Sequence, residues 1–487
     1  MSEEAAPEAS AAEVVRDVAR LRRVADALGL VDLAGHVSAR LPGSSAVAVS
    51  PAGRGAPPPL LTRAEDVVVV DLDGRVIDGR SAPPVDVQMD LAIYRASPDV
   101  GAVLFGSPAD LTAFGVARRQ LLPVTHHQSA LALEGIPAYS DAVLIRTAER
   151  ASALVRAMAG RPVAHIRGSG IVVAARSLLE GAQRLHALDE MARIYRLALS
   201  VSDAPRLVSR ESAAAISAEL AEALHLDRKI GHGALDAARY FWSFDTEHAG
   251  APAEREDWPP PDGSIDDVRQ RVATACRVLD GGATLVAYLE HVSHRIPGDR
   301  TRFAMSPAKR FAQMLPSDIG ILSTSGDCEP LEGPYAPAPF RRYHRDLLAS
   351  RPDVNAIVHT HELYGRALIA ARGRPRAVHR IGAVRAAEPF RDTAGPNLSM
   401  SEKRRRENVA TLGRAPILHI SAHGTDFLGT SIEPAVVDAI QREQLSRIEL
   451  LAAQLGEPAV LGDGDIAELA TFGPSYEDWW RYYLSRV

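Results

Sequence analysis

Three histidines carry the most pointed chemistry in this chain. His359 and His361 flank Thr360 at the end of the apolar run Ala356-Ile357-Val358, and His423 precedes Gly424 just beyond the apolar run Pro416–Ile420. Side chains alternate faces along an extended strand. His359 and His361 would therefore share a face with their Cα atoms ~6.5–7 Å apart, and Thr360 would turn away. At that spacing two imidazoles can converge on one ion. Three histidines with a fourth position open match a catalytic metal site rather than a closed structural one. The spacing alone also allows three ordinary histidines with no ligand role.

The elements that must hold these residues are written twice. Pro352-Asp353-Val354-Asn355-Ala356-Ile357-Val358 leads into His359-Thr360-His361, and Pro98-Asp99-Val100-Gly101-Ala102-Val103-Leu104 leads into Phe105-Gly106-Ser107. The interval from 105 to 359 is 254 residues, and the same interval takes Ser169-Gly170 to His423-Gly424. Further landmarks return in the same order. Gly35-His36-Val37-Ser38-Ala39-Arg40 corresponds to Glu290-His291-Val292-Ser293-His294-Arg295, and Val49-Ser50-Pro51 to Met305-Ser306-Pro307. Order kept over a domain's length means a duplicated domain. One copy has three histidines where the other has Phe105, Ser107 and Ser169, so a metal site is expected in the second copy only.

The expected organisation is a disordered tail over 1–12, a degenerate domain over 13–249, a linker over 250–263 and the histidine-bearing domain over 264–487. The linker follows from the Pro, Gly and charge in Ala249–Gly263, after which Ser264 is a suitable N-cap for a new helix. In the first copy, helices are expected over Ala12–Leu28, Val85–Ala96, Ala148–Ala159 and Leu178–Leu199. Strands are expected over Ala46–Ser50, Asp66–Asp71, Gly101–Leu104, Val163–Ile166 and Ile171–Ala174. A second opening helix falls over Ile265–Leu279. The fold class is α/β, with strands and helices interleaved around a central sheet.

The bulk numbers exclude several classes. A formal charge of −6 with no dense Lys/Arg block points away from nucleic acid. No window approaches the ~18 uninterrupted apolar residues of a membrane span. Cys276 and Cys328 give no disulfide framework and suit a reducing cytosol. A cytoplasmic protein acting on a small molecule is expected.

The ordered landmarks resemble the class II aldolase/adducin-head family. They are His291-Val292-Ser293-His294-Arg295, Ser306-Pro307, a helix ending in Ile93-Tyr94 or Leu347-Leu348, the His-x-His and the late His-Gly. That family groups sugar-phosphate aldolases, epimerases, decarboxylases and dehydratases. The resemblance implies two tandem α/β/α sandwiches, each with a mainly antiparallel central sheet. It makes His359, His361 and His423 ligands of a divalent metal, zinc first, with iron, manganese or cobalt as alternatives. It also implies sites at subunit interfaces in four-fold rings, which a homodimer of this tandem chain would rebuild as a pseudo-tetramer.

Two departures shape the functional expectation. Sugar-phosphate aldolases carry Gly-Asn where this chain has Gly35-His36 and Glu290-His291. That resembles the Gly-His-x-Ser-x-Arg branch of decarboxylases and points away from a phosphorylated sugar. The segment Leu121–His127 resembles the same branch. The second departure is Phe340, which stands at the family's acid/base Glu position, four residues before His344. In the first copy the two positions are Asp86 and Asp90. Phenylalanine moves no proton, so Tyr343, Tyr364 and His379 are the candidate catalytic carriers, with Glu362 also near in sequence. Arg341, Arg342 and Arg295 are the candidate substrate-binding residues: a guanidinium fork at Arg341 and Arg342 matches a carboxylate, though a solvated helix face fits them too, and Arg295 in its motif more often stabilises a loop than touches substrate. His126 and His127 could reach across an interface into the site, and the aromatic run Tyr476–Tyr483 could do so or seal a subunit contact. The leading expectation is a metal-dependent carbon–carbon lyase, aldolase or decarboxylase, acting on a non-phosphorylated hydroxy- or oxo-acid. An Fe(II)-dependent oxygenase performing oxidative decarboxylation and a non-catalytic adducin-like scaffold compete with it.

Overall fold

The short strand Val47–Val49 displays the logic of the whole architecture. Val47 and Val49 project into one apolar cluster with Met89, Leu91, Phe105 and Leu154. Ala48 projects the other way, against Val18, Ala19 and Ala39. A sheet covered on both faces buries every position, so its strands read as continuous apolar runs rather than alternating ones. Two layers of helix therefore enclose one sheet.

In a computed structural model of the chain, the described residues are 10–125, 128–141, 143–200, 202–215, 241–242, 244–245, 258–283, 285, 290–326, 328, 330–333, 340–394, 399, 401–421 and 423–487. They fall into two compact units. The first comprises Met1–Glu256, Val378–Arg380 and Leu451–Pro474; the second comprises Asp257–Ala377, Ile381–Leu450 and Ser475–Val487. Neither unit is one continuous stretch of chain. The expected linker lies largely outside the described residues, as do His126 and His127. Residues 1–9 of the expected tail lie outside the described residues, and its last residues belong to a helix over Ala11–Ala27 that Ser10 caps in a capping box with Glu13.

The first unit contains β1 His36–Arg40, β2 Val47–Val49, β3 Val68–Val70, β4 Val76–Asp78, β5 Ala102–Gly106, β6 Ala138–Tyr139, β7 Val163–Ile166 and β8 Gly170–Ala175. They form one sheet in the order β4-β3-β2-β1-β5-β8-β7-β6. The second unit repeats it. Its strands β9 His291–Ile296, β10 Asp299–Met305, β11 Gly320–Ser323, β12 Pro330–Glu332, β13 Ala356–Thr360, β14 Phe390–Asp392, β15 Ile417–Ile420 and β16 Gly424–Gly429 are ordered β12-β11-β10-β9-β13-β16-β15-β14. All neighbouring strands pair antiparallel except β6 with β7 and β14 with β15. The mainly antiparallel α/β sandwich is thus present twice. The duplication holds to the residue: Leu178–Leu199 and Ile432–Ala453 are both 22-residue helices at the same place in each unit.

Most expected elements are found with ends shifted by a few residues, and Val163–Ile166 has its expected bounds. Ser264 accepts a hydrogen bond from the Asp267 amide, as an N-cap should. β1 was not expected as a strand. Its His36 and Ser38 are buried polar residues satisfied by Asp90 and Tyr94, so the sequence lacks the apolar run that marks its neighbours.

Candidate metal centre

β13 carries His359 within its last turn of pleat and releases His361 one residue past its end. β15 and β16 are joined by a tight turn, in which the His423 amide donates to Ile420, and this turn brings His423 beside them. Among the described residues these three histidines form the group suited to a metal, with one candidate nitrogen from each lying within 4.8 Å of the others. All three are buried. His359 Nε2 and His361 Nε2 stand 3.4 Å apart. Two nitrogens each ~2.0–2.1 Å from a tetrahedral zinc ion would be separated by about that distance.

The register of the sheet explains why His359 is aimed so well. Asp426 on β16 is its cross-strand partner, and neighbours directly opposite share a face. Asp426 Oδ1 lies 2.7 Å from His359 Nδ1, and its Oδ2 accepts from the Tyr343 hydroxyl at 2.8 Å. Burial opposes ionisation of Asp426, but hydrogen bonds from His359 and Tyr343 hold its pKa below the usual carboxylate value. An ionised Asp426 accepts the hydrogen bond of Nδ1–H, so the Nε2 lone pair points at the site. The Glu290 carboxylate lies 3.5 Å from His361 Nδ1. Arg366 donates to the His423 carbonyl at 3.1 Å and fixes that turn.

Electrostatics keep the other imidazoles neutral. Burial, reinforced by His359 and His361, pushes His423 down to about 3. His361 is also lowered, chiefly by burial. Lone pairs crowded without intervening protons suit a cation, and this donor set fits a divalent ion. Close packing completes the arrangement: a Cβ at Gly424 would come within 2.5 Å of the Thr360 carbonyl and 2.9 Å of His359 Nε2.

One wall of the site is aromatic. Phe340 packs against His291 at 4.9 Å and His423 at 5.7 Å between ring centroids. His291, paired with His359 across β9 and β13, stacks on it at 4.5 Å. It is buried, and neither of its ring nitrogens has a hydrogen-bond partner among the described residues. Burial and the surrounding histidines hold it well below its ordinary pKa.

The candidate catalytic residues are dispersed. Tyr343 sits behind His359, bound to Asp426, and burial with that carboxylate keeps its proton on. Tyr364 lies on the helix Leu363–Arg372, its amide donating to Glu443 and its ring 5.8 Å from the Arg447 guanidinium carbon. Glu362 is buried beside Thr360 and Thr425, and burial raises it to about 8. His379 belongs to the first unit, where Nε2 lies 3.0 Å from the Ser169 carbonyl. Arg341 and Arg342 open the helix Arg341–Ser350, half-buried. The Arg295 guanidinium donates to the carbonyls of Leu348, Arg351 and Val354, stitching the loop ahead of β13, which is the loop-stabilising role weighed for it beside substrate binding.

Sequence reasoning passed over Asp426, although the duplication marked it. Its counterpart is Val172, that of Tyr343 is Met89 and that of His359 is Phe105. The hydrogen-bonded chain Tyr343–Asp426–His359 is replaced as a set by three residues of one apolar cluster.

The profile of the family described as class II aldolase and adducin N-terminal domain matches residues 16–196 and again 270–450. The chain belongs to this family, in tandem. A 3,4-dihydroxyphthalate decarboxylase of Terrabacter sp. (strain DBF63) is 30% identical over 234 residues, 45% of this chain and 96% of the relative, so a stretch the size of one copy matches nearly the whole of that protein. A 5-methylthioribulose-1-phosphate/5-deoxyribulose-1-phosphate aldolase of Rhodospirillum rubrum is 30% identical over 168 residues, 34% of this chain and 74% of the relative. Among solved class II aldolase structures, an L-fuculose 1-phosphate aldolase is 22% identical, covering 42% of this chain and 95% of its own, with a TM-score of 0.38. Relatives of this class II aldolase tandem thus include a decarboxylase and an aldolase. No helix among the described residues is long and apolar enough to cross a membrane.

Proposed function

We propose that this protein is a metal-dependent carbon–carbon lyase of the decarboxylase type, with its site in the second unit and a small, non-phosphorylated hydroxy-acid as substrate. The observation that carries the reading is the convergence of His359, His361 and His423, with His359 oriented by Asp426. Similarity to a 3,4-dihydroxyphthalate decarboxylase supports an aromatic acid with adjacent hydroxyl groups. His359, His361 and His423 would hold a divalent ion, which as a Lewis acid would polarise substrate oxygens and stabilise the negative charge left when carbon dioxide departs.

The chain's own residues supply the rest. Phe340 presents a ring where a proton-carrying Glu is expected, and so shields the reacting carbon from water. His291 is the buried group beside the ligands whose ring nitrogens are unengaged, and it takes the role of proton carrier to the substrate. Arg341 and Arg342, which open the helix after Phe340, would hold a carboxylate.

The test combines metal analysis with carbon dioxide release from dihydroxylated aromatic acids. One ion per chain, turnover abolished by chelation and loss of both in His361→Ala is the expected result. Oxygen uptake coupled to turnover would replace this reading with an Fe(II) oxygenase. A gently purified protein that neither contains nor takes up metal would replace it with a scaffold.

A further inference from the structure

The first unit keeps the frame of the histidine site while filling it with different chemistry. Phe105, Ser107 and Ser169 occupy the ligand positions, and Asp32, Asp86 and Asp90 are buried around them. Asp86 and Asp90 flank His36 at 3.6 Å and 3.0 Å, and Asp32 accepts from Ser107 at 2.7 Å. Buried carboxylates need cationic partners, because an unpaired buried charge is strongly unfavourable. The chain brings one from far along the sequence. Val378–Arg380 belongs to this unit, with the Arg380 amide donating to the Gly168 carbonyl at 2.6 Å.

The Arg380 side chain is 5% exposed, and its guanidinium lies 3.3 Å from Asp32. Its central carbon stands 4.7 Å from the centre of the Phe105 ring. His379 meets the Ser169 carbonyl. The segment therefore reaches the counterparts of all three ligands: Phe105 by stacking, Ser107 through their shared Asp32, and Ser169 through His379. A guanidinium is weakly hydrated, stacks on aromatic faces and forks onto carboxylates, which are the surfaces this pocket offers.

We propose that Arg380 is the resident cation of the first unit, filling the counterpart of the histidine site and closing it to metal ions. Phe105 is then a recognition surface for the guanidinium as well as a lost ligand.

The full-length Arg380→Ala variant should melt below the wild type, and methylguanidinium chloride, compared with equal sodium chloride, should raise its melting temperature by several degrees while leaving the wild type unmoved. Equal responses from the two proteins would overturn the assignment. A second measurement does not depend on that variant folding. The double variant His361→Ala/His423→Ala, which leaves the first unit intact, should retain no metal after incubation with zinc or manganese and desalting. Metal retained there would place an ion in the first unit and refute the proposal. If the wild type also holds none, the functional reading fails and the methylguanidinium comparison still decides this one.

Discussion

His359 is a candidate ligand because of what stands behind it. An imidazole facing a cavity can rotate and change tautomer, and Asp426, itself held by Tyr343, removes both freedoms. Asp426→Asn should therefore weaken metal binding by roughly 10–100-fold with a smaller effect on melting temperature, and Tyr343→Phe should do the same to a lesser degree. Competition against a chromogenic chelator measures this directly. An unchanged affinity in Asp426→Asn would show that the carboxylate is merely part of the core. The duplication makes the coupling visible, because Phe105, Val172 and Met89 share an apolar cluster where the second unit has the hydrogen-bonded set. Losing the imidazole removes the reason for the carboxylate, and a buried carboxylate without a partner is costly.

At the level of elements, the site depends on β13 and β16 lying close at their ends. Gly424 begins β16, and any side chain there meets the backbone of Thr360 and the ring of His359. Gly424→Ala should destabilise the fold by about 1–3 kcal/mol, as overpacking does, and displace His359. Melting and metal content measured on the same sample would fall together, and a variant with normal metal content would show that the strands part without moving the ligand. The elements themselves were largely legible. Val163–Ile166 and Leu178–Leu199 announce their periods locally, whereas β1 hides a strand in a polar sequence because His36 and Ser38 find buried partners on the helix Gln88–Ala96. The loop partners of Arg295 were hidden for a related reason, because the carbonyls its guanidinium binds come together only when the loop has folded around it.

Over the whole molecule, buried titratable groups pull stability in opposite directions with pH. Burial lowers His165, His379 and His419 from 6.5 to about 4, so the folded state binds fewer protons and stability falls as pH drops below 6.5. Burial raises Glu362 from 4.5 to about 8 and Asp438 from 3.8 to about 7, so their contributions are complete at low pH and are lost as pH rises through those values. The unfolded histidines lose their protons over about one unit on either side of 6.5, so the two acids dominate only above ~7.5. The chelator-treated protein should therefore melt at progressively lower temperature from about pH 7.5 to 8.5, and Glu362→Gln should flatten that decline. A melting temperature that climbs across this range would refute the account.

The amino-acid sequence by itself determined the duplication, the three candidate ligands, their replacement by Phe105, Ser107 and Ser169 in the first copy and the alternation of strands and helices. These are local patterns, or comparisons between two aligned copies, and need no knowledge of which strand lies beside which. Tertiary structure alone decided that Asp426 backs His359 across 67 residues, that the Tyr343 hydroxyl donates to Asp426, and that His379 and Arg380 lie in the first unit. Sheet order and register create those contacts, and both emerge only when distant segments bury their faces against one another.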